Sequence, residues 1–138
     1  MNICGIELKS NNTIVSVIKR DTENVKFVNT KIKKIVLEND EITSSLLQFQ
    51  KEIEDFLKEN NIEKIALKRR AKKGNFAGGA VTFKLETIIQ LNKVCEVEFV
   101  SSQAISKYTK TNDVIFPKEL NKYQEQAYLS SLLSYSLK

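Results

Sequence analysis

The spacing of apolar positions changes several times along the chain, and each change predicts an element. Residues 2–8 form a short apolar run broken by Gly5, the pattern of a strand buried on both faces. Asn11-Asn12 signals a turn, and the β-branched run Thr13–Ile18 reads as the hairpin partner of that strand. A third strand is expected over Val25–Leu37, where Val25, Phe27, Ile32 and Val36 alternate imperfectly with bases. From Thr43 the period lengthens. Leu46, Phe49, Ile53, Phe56 and Leu57 fall at helical spacing, and Lys58-Glu59-Asn60-Asn61 ends the helix. Ile62–Leu67 predicts a short fourth strand. Ala80, Phe83, Ile88 and Leu91, with Val81 and Leu85 nearby, predict a second helix, and Val94–Val100 a fifth strand. Ser101-Ser102 offers an N-cap for a short helix towards Tyr108. Pro117 suits the first turn of a final helix that runs almost to Lys138.

Three strands followed by alternating helices and strands imply an α/β mixed sheet with helices on both faces. This order is similar to the RNase H-like fold of Holliday-junction resolvases of the RuvC type, which implies five strands in the order 3-2-1-4-5. No repeat or linker divides the chain, and 138 residues suit a single domain spanning 1–138.

At 41% hydrophobic and 28% charged residues the chain has the composition of an ordinary folded protein with one core. No apolar run is long enough to cross a bilayer, so no membrane association is expected. Glu7 and the lack of a long apolar stretch argue against a secretory signal at the start. Cys4 and Cys95 are too far apart in sequence for a Cys-x-x-Cys pair, which fits a reduced, cytoplasmic protein. In the expected strand order they lie about 9–10 Å apart, two strand spacings. That exceeds a disulfide's reach of about 7 Å between Cα atoms. Both therefore read as small buried hydrophobes. The absence of histidine excludes a Ser-His-Asp triad and His-containing zinc sites. Ser131 and Ser134 are expected on the wet side of the last helix.

Net charge is +5, but it is local. Lys64, Lys68, Arg69, Arg70, Lys72 and Lys73 are six of the 22 bases in a stretch without an acid, and the rest of the chain is nearly neutral. Such a run is either a solvated strand end or a surface that attracts phosphate. The glycine segment that follows, Gly74 to Gly79, is neither a Walker A loop nor a dinucleotide fingerprint. Gly78 and Gly79 suit either close helix–sheet packing or, beside the bases, an anion. The candidate anion- or nucleic-acid-binding residues are Lys68, Arg69, Arg70, Lys72, Lys73, Gly78 and Gly79.

The segments CGIELK (Cys4–Lys9) and KGNFAGGAVTFKLE (Lys73–Glu86) resemble a family of short bacterial proteins, Domain of Unknown Function 3010. The resemblance covers essentially the whole chain and implies an RNase H-like fold. Nucleases of that fold hold two Mg²⁺ ions between carboxylates, which stabilise the attacking and leaving oxygens. In resolvase-like members the resemblance implies acids on the first strand, at the end of the fourth and on the final helix. Here Glu7 takes the first position, and Lys68 stands where the second acid belongs. Tyr123 and Gln126 match the helix pair, with Glu125 out of register. Glu7, Lys68 and Gln126 thus read as a vestigial site, with Glu7 either paired to Lys68 or Arg70 or exposed at its strand end.

No catalytic residue, metal or cofactor is expected on this reading, and the partner is nucleic acid or another phosphate-bearing molecule. One alternative is a Mg²⁺- or Mn²⁺-dependent nuclease with an altered acid set drawn from Glu7, Glu86 or Glu125. Another is a protein-interaction module whose basic strand end docks an acidic protein.

Overall fold

The computed structural model describes residues 1–70 and 79–136. Strands β1 (Asn2–Lys9) and β2 (Asn12–Arg20) form an antiparallel hairpin, paired from Asn2↔Lys19 to Lys9↔Asn12. The chain reverses at Ser10-Asn11, one residue earlier than the expected turn, with Ser10 left-handed at φ 54°.

The expected third strand is two. β3 (Val25–Val28) pairs with Val17–Arg20, and β4 (Lys34–Val36) with Asn12–Ile14, on the same edge of β2. Local hydrogen bonds draw the segment between them out of the ladder. Thr30 Oγ1 donates to the Ile32 carbonyl at 2.7 Å and Lys33 Nζ to the Thr30 carbonyl at 2.8 Å. Val15 lies opposite this break. Its N–H donates to the Lys33 carbonyl at 3.0 Å, and its carbonyl accepts from Gln124 Nε2 at 2.9 Å. A buried side-chain amide thus fills the gap in the sheet.

Helix α1 (Thr43–Glu59) buries Phe49, Ile53, Phe56 and Leu57, the stripe its spacing predicts. Asn60 Nδ2 caps it on the Phe56 carbonyl at 2.9 Å, and Asn61 turns the chain at φ 52°. β5 (Lys64–Lys68) then runs parallel to β1, and β6 (Glu96–Val100) parallel to β5. Helix α2 (Ala80–Gln90) lies between those two strands in sequence; α3 (Ser102–Thr111) and α4 (Glu125–Ser136) follow them. Among the described residues the sheet order is β3-β2-β1-β5-β6, with β4 also on β2. This is the expected topology with one added strand.

Alternation along β1 feeds two cores. Cys4 and Ile6 join Val15, Val17, Ile65 and Leu67 beneath α1 and α2. Ile3 joins Ile18, Ala66 and Val100 beneath Ile105 of α3 and Tyr128, Leu129, Leu132 and Leu133 of α4. Gly5 sits where α4 meets the sheet. A Cβ there would lie 1.8 Å from the Ala127 carbonyl oxygen and 2.9 Å from the Ser131 nitrogen. Only glycine allows this approach. For the same reason Ser131 and Ser134 are buried, not wet as expected, and Ser130 is buried with them: small side chains let the helix backbone close on the strand. Ser130 and Ser131 return their hydroxyls to the helix carbonyls of Gln126 and Tyr128.

Three further expectations change. α2 buries Thr82, Leu85 and Ile89, while Phe83 and Leu91 are exposed. Leu85, Val81 and Ile88 lie on the core as expected, and Thr82 joins them because its hydroxyl donates to the Ser10 carbonyl at 3.2 Å, a bond that apolar spacing does not mark. The final helix starts later than Pro117. Pro117–Leu120 is a turn, Asn121 caps the single 3-10 turn Lys122–Gln124, and α4 begins at Glu125. Cys4 is fully buried, whereas Cys95 is only half-buried and precedes β6; both are free. Burial pushes both thiols up, that of Cys95 to about 11.

Candidate functional site

Parallel pairing of Ile6 with Leu67 leaves Glu7 and Lys68 next to each other at the C-terminal ends of β1 and β5. Both project on the α4 side of the sheet, by alternation from Ile3 and Ala66. Lys68 Nζ donates to Glu7 Oε2 at 3.2 Å. The Glu7 side chain is 9% exposed and that of Lys68 is 20% exposed. The second carboxylate oxygen, Oε1, is buried without a hydrogen-bond partner. Of the partners expected for Glu7, the structure takes Lys68 and not Arg70.

Arg70 turns to α2. Its Nε donates to Glu86 Oε2 at 2.5 Å, and its guanidinium lies 3.7 Å from the Phe83 ring centroid. The exposed Phe83 thus has a role that periodicity did not suggest: it stacks beneath a cation. Lys64 is buried and pairs with Glu98 of β6. Arg69 is exposed, 4.7 Å from the ring of Phe99. Three of the four bases described between Lys64 and Arg70 therefore meet carboxylates from other strands or helices. The acid-free run in sequence is largely neutralised in space. Lys72, Lys73, Gly74 and Gly78 lie outside the described residues.

Gly79 precedes α2 at φ −76°, and a Cβ there would meet nothing within 4 Å. The close-packing role considered for it belongs to Gly5. At the 3-10 turn and the start of α4 the expected acid positions carry other chemistry. Tyr123 lies under Lys34, with Nζ 4.3 Å from its ring centroid. Gln126 and Glu125 are half-buried in the first turn of α4, and neither bonds to Glu7. Gln124, between Tyr123 and Glu125, carries no sequence signal of its buried bond to the Val15 carbonyl.

A divalent ion of the kind the resemblance implies needs several oxygen ligands, with carboxylates shared between adjacent ions in a two-metal site. Among the described residues no group of three acidic or cysteine side chains converges. Glu7 offers one carboxylate, and an ammonium already holds one of its oxygens. At an effective dielectric of about 20, opposite unit charges about 4 Å apart attract by roughly 4 kcal/mol, and an incoming cation must displace the ammonium that already holds Glu7. The residues present do not fit the ion.

Comparison with solved structures places this architecture in a class. The chain matches the RuvC structure of Thermus thermophilus at a TM-score of 0.69 and 8% identity, covering 99% of this chain and 93% of that one. It matches the Fowlpox virus resolvase, in a complex with Holliday junction DNA, at 0.56 and 17%, covering 99% of each chain. The yeast mitochondrial Holliday junction resolvase Ydc2 matches at 0.56 and 13%, covering 95% of this chain and 74% of that one. At such identities the likeness is one of fold, and the fold is the RNase H-like fold of RuvC-type resolvases. Curated protein sequences give no match. The family profile "Protein of unknown function (DUF3010)" matches residues 1–134, and the chain belongs to that family.

Proposed function

We propose that this chain is an RNase H-like domain that binds nucleic acid, or another phosphate-bearing partner, and does not cleave it. The observation that carries the reading is the Lys68–Glu7 pair, an ammonium where metal-dependent phosphodiester cleavage needs an acid. The fold supports nucleic acid as the partner: two of the similar resolvase structures are complexes with Holliday junction substrate. Binding uses the strand ends at Lys68 and Arg69, with Lys72, Lys73 and the glycines beyond them. Arg70 acts as a brace to Glu86 and not as a ligand contact. The unit is one domain spanning 1–138, working in a bacterial cytoplasm, where two free cysteines are at home. Among the described residues no helix is long and apolar enough to cross a membrane.

The test is incubation of purified protein with a four-way DNA junction, single-stranded DNA and single-stranded RNA, with Mg²⁺ or Mn²⁺. All three substrates stay intact, and at least one is retarded in a gel, less so as salt rises. Cleavage that Glu7→Gln abolishes would establish the nuclease alternative. Failure to bind any of the three would remove nucleic acid as the partner.

A further inference from the structure

The misfit with a divalent ion raises the question of what holds a phosphate at this site. An ammonium has three N–H donors, and among the described residues Lys68 uses one, on Glu7 Oε2. Its side chain is 20% exposed against 9% for Glu7, so of the two charged groups Lys68 is the more open to water. Glu7 holds the ammonium through Oε2, and its other oxygen, Oε1, is buried. The more open member of the pair is therefore the one with donors to offer a phosphodiester oxygen, and Arg69, the next residue in the chain, is exposed. A divalent ion arriving there finds a single carboxylate, one of whose oxygens is already taken by an ammonium.

We propose that Lys68, held by Glu7, is the resident cation of this site and takes a phosphate oxygen directly, so that binding needs no divalent ion. The proposal rests on the nucleic-acid reading above and assigns its electrostatics to one side chain. Lys68 is a binding residue, and Glu7 positions it.

Fluorescence anisotropy with a labelled junction and a labelled single-stranded RNA tests this, in EDTA and in Mg²⁺ at matched ionic strength. Affinity for the bound probe agrees to within about twofold between the two buffers. Lys68→Gln weakens binding about tenfold in both, the scale of a charged hydrogen bond, and lowers the salt slope by about one ion. Lys68→Arg keeps most of the affinity, and Lys51→Gln, on the far surface of α1, changes neither quantity. Because Lys68→Gln strands a buried carboxylate, the neutral pair Glu7→Gln/Lys68→Gln is measured beside it, with circular dichroism confirming the fold. It shows the same loss of affinity. Binding that appears only with Mg²⁺, or that is indifferent to Lys68→Gln and to the neutral pair, would overturn the proposal and leave the nucleic-acid reading standing. No binding in either buffer would overturn both.

Discussion

Replacing Gly5 with alanine adds one methyl group at the point where α4 rests on β1, and the consequence can be worked from distances. The new carbon would lie 1.8 Å from the Ala127 oxygen, 2.8 Å from its carbonyl carbon and 2.9 Å from the Ser131 nitrogen. The shortest of these is about half the separation at which non-bonded atoms attract, 3.5–4.0 Å. All three neighbours are helix backbone, so no flexible side chain can give way. The helix must lift, and it carries Tyr128, Leu129, Leu132 and Leu133 off Ile3, Ile18 and Ala66. A gap of about 0.5–1 Å already forfeits a quarter to a half of such contacts. Overpacking elsewhere costs about 1–3 kcal/mol, and the rigidity of this site puts Gly5→Ala at about 3 kcal/mol or more. Urea unfolding followed by circular dichroism reads this as a lower midpoint, with Tm falling by about 10 °C or more. A Gly5→Ala protein within about 1 kcal/mol of wild type would refute the close-approach argument.

Further outcomes follow from other contacts. Lys68→Met alone destabilises the protein by about 2–4 kcal/mol because it leaves Glu7 buried and unpaired, and Glu7→Gln/Lys68→Met recovers most of that in a double-mutant cycle. A cycle with no coupling would show that the pair does not form. Gln124→Ala orphans the buried Val15 carbonyl and costs about 1–3 kcal/mol in the same unfolding assay, whereas substitution of the exposed Lys122 is neutral. Cys95 alkylates slowly near neutral pH and about tenfold faster per pH unit up to about 11, because burial raises its pKa and only the thiolate reacts. Cys4 stays unmodified in the folded protein under the same conditions, and labelling of Cys4 at the rate of Cys95 would contradict its burial.

What was legible in the sequence was whatever a single segment encodes. The α1 stripe, the doubly buried β1 and the hairpin are local patterns, and they suffice to order the sheet once the resemblance supplies the topology. The Glu7–Lys68 pair was legible for a related reason: both residues are one step beyond a register that the fold dictates. The neutralisation of Lys64 and Arg70 was not, because Glu98 and Glu86 reach them from other elements. A charge count along one strand cannot see carboxylates across the sheet. The split between β3 and β4 also escaped, since side-chain bonds at Thr30 and Lys33, not apolar spacing, break the ladder. The dry serines of α4 do have a sequence signal. A glycine inside a buried strand and small residues at 127, 130, 131 and 134 together announce a close backbone approach.

The account turns on whether an ammonium or a metal ion satisfies Glu7, and crystals soaked in Mn²⁺ answer that most directly. Anomalous difference maps from such crystals show no peak at Glu7, and Lys68 Nζ stays within hydrogen-bond distance of Oε2. A Mn²⁺ peak bound to Glu7, with Lys68 swung away and Glu125 or Gln126 drawn in as a second ligand, would contradict the account and restore a metal-dependent site.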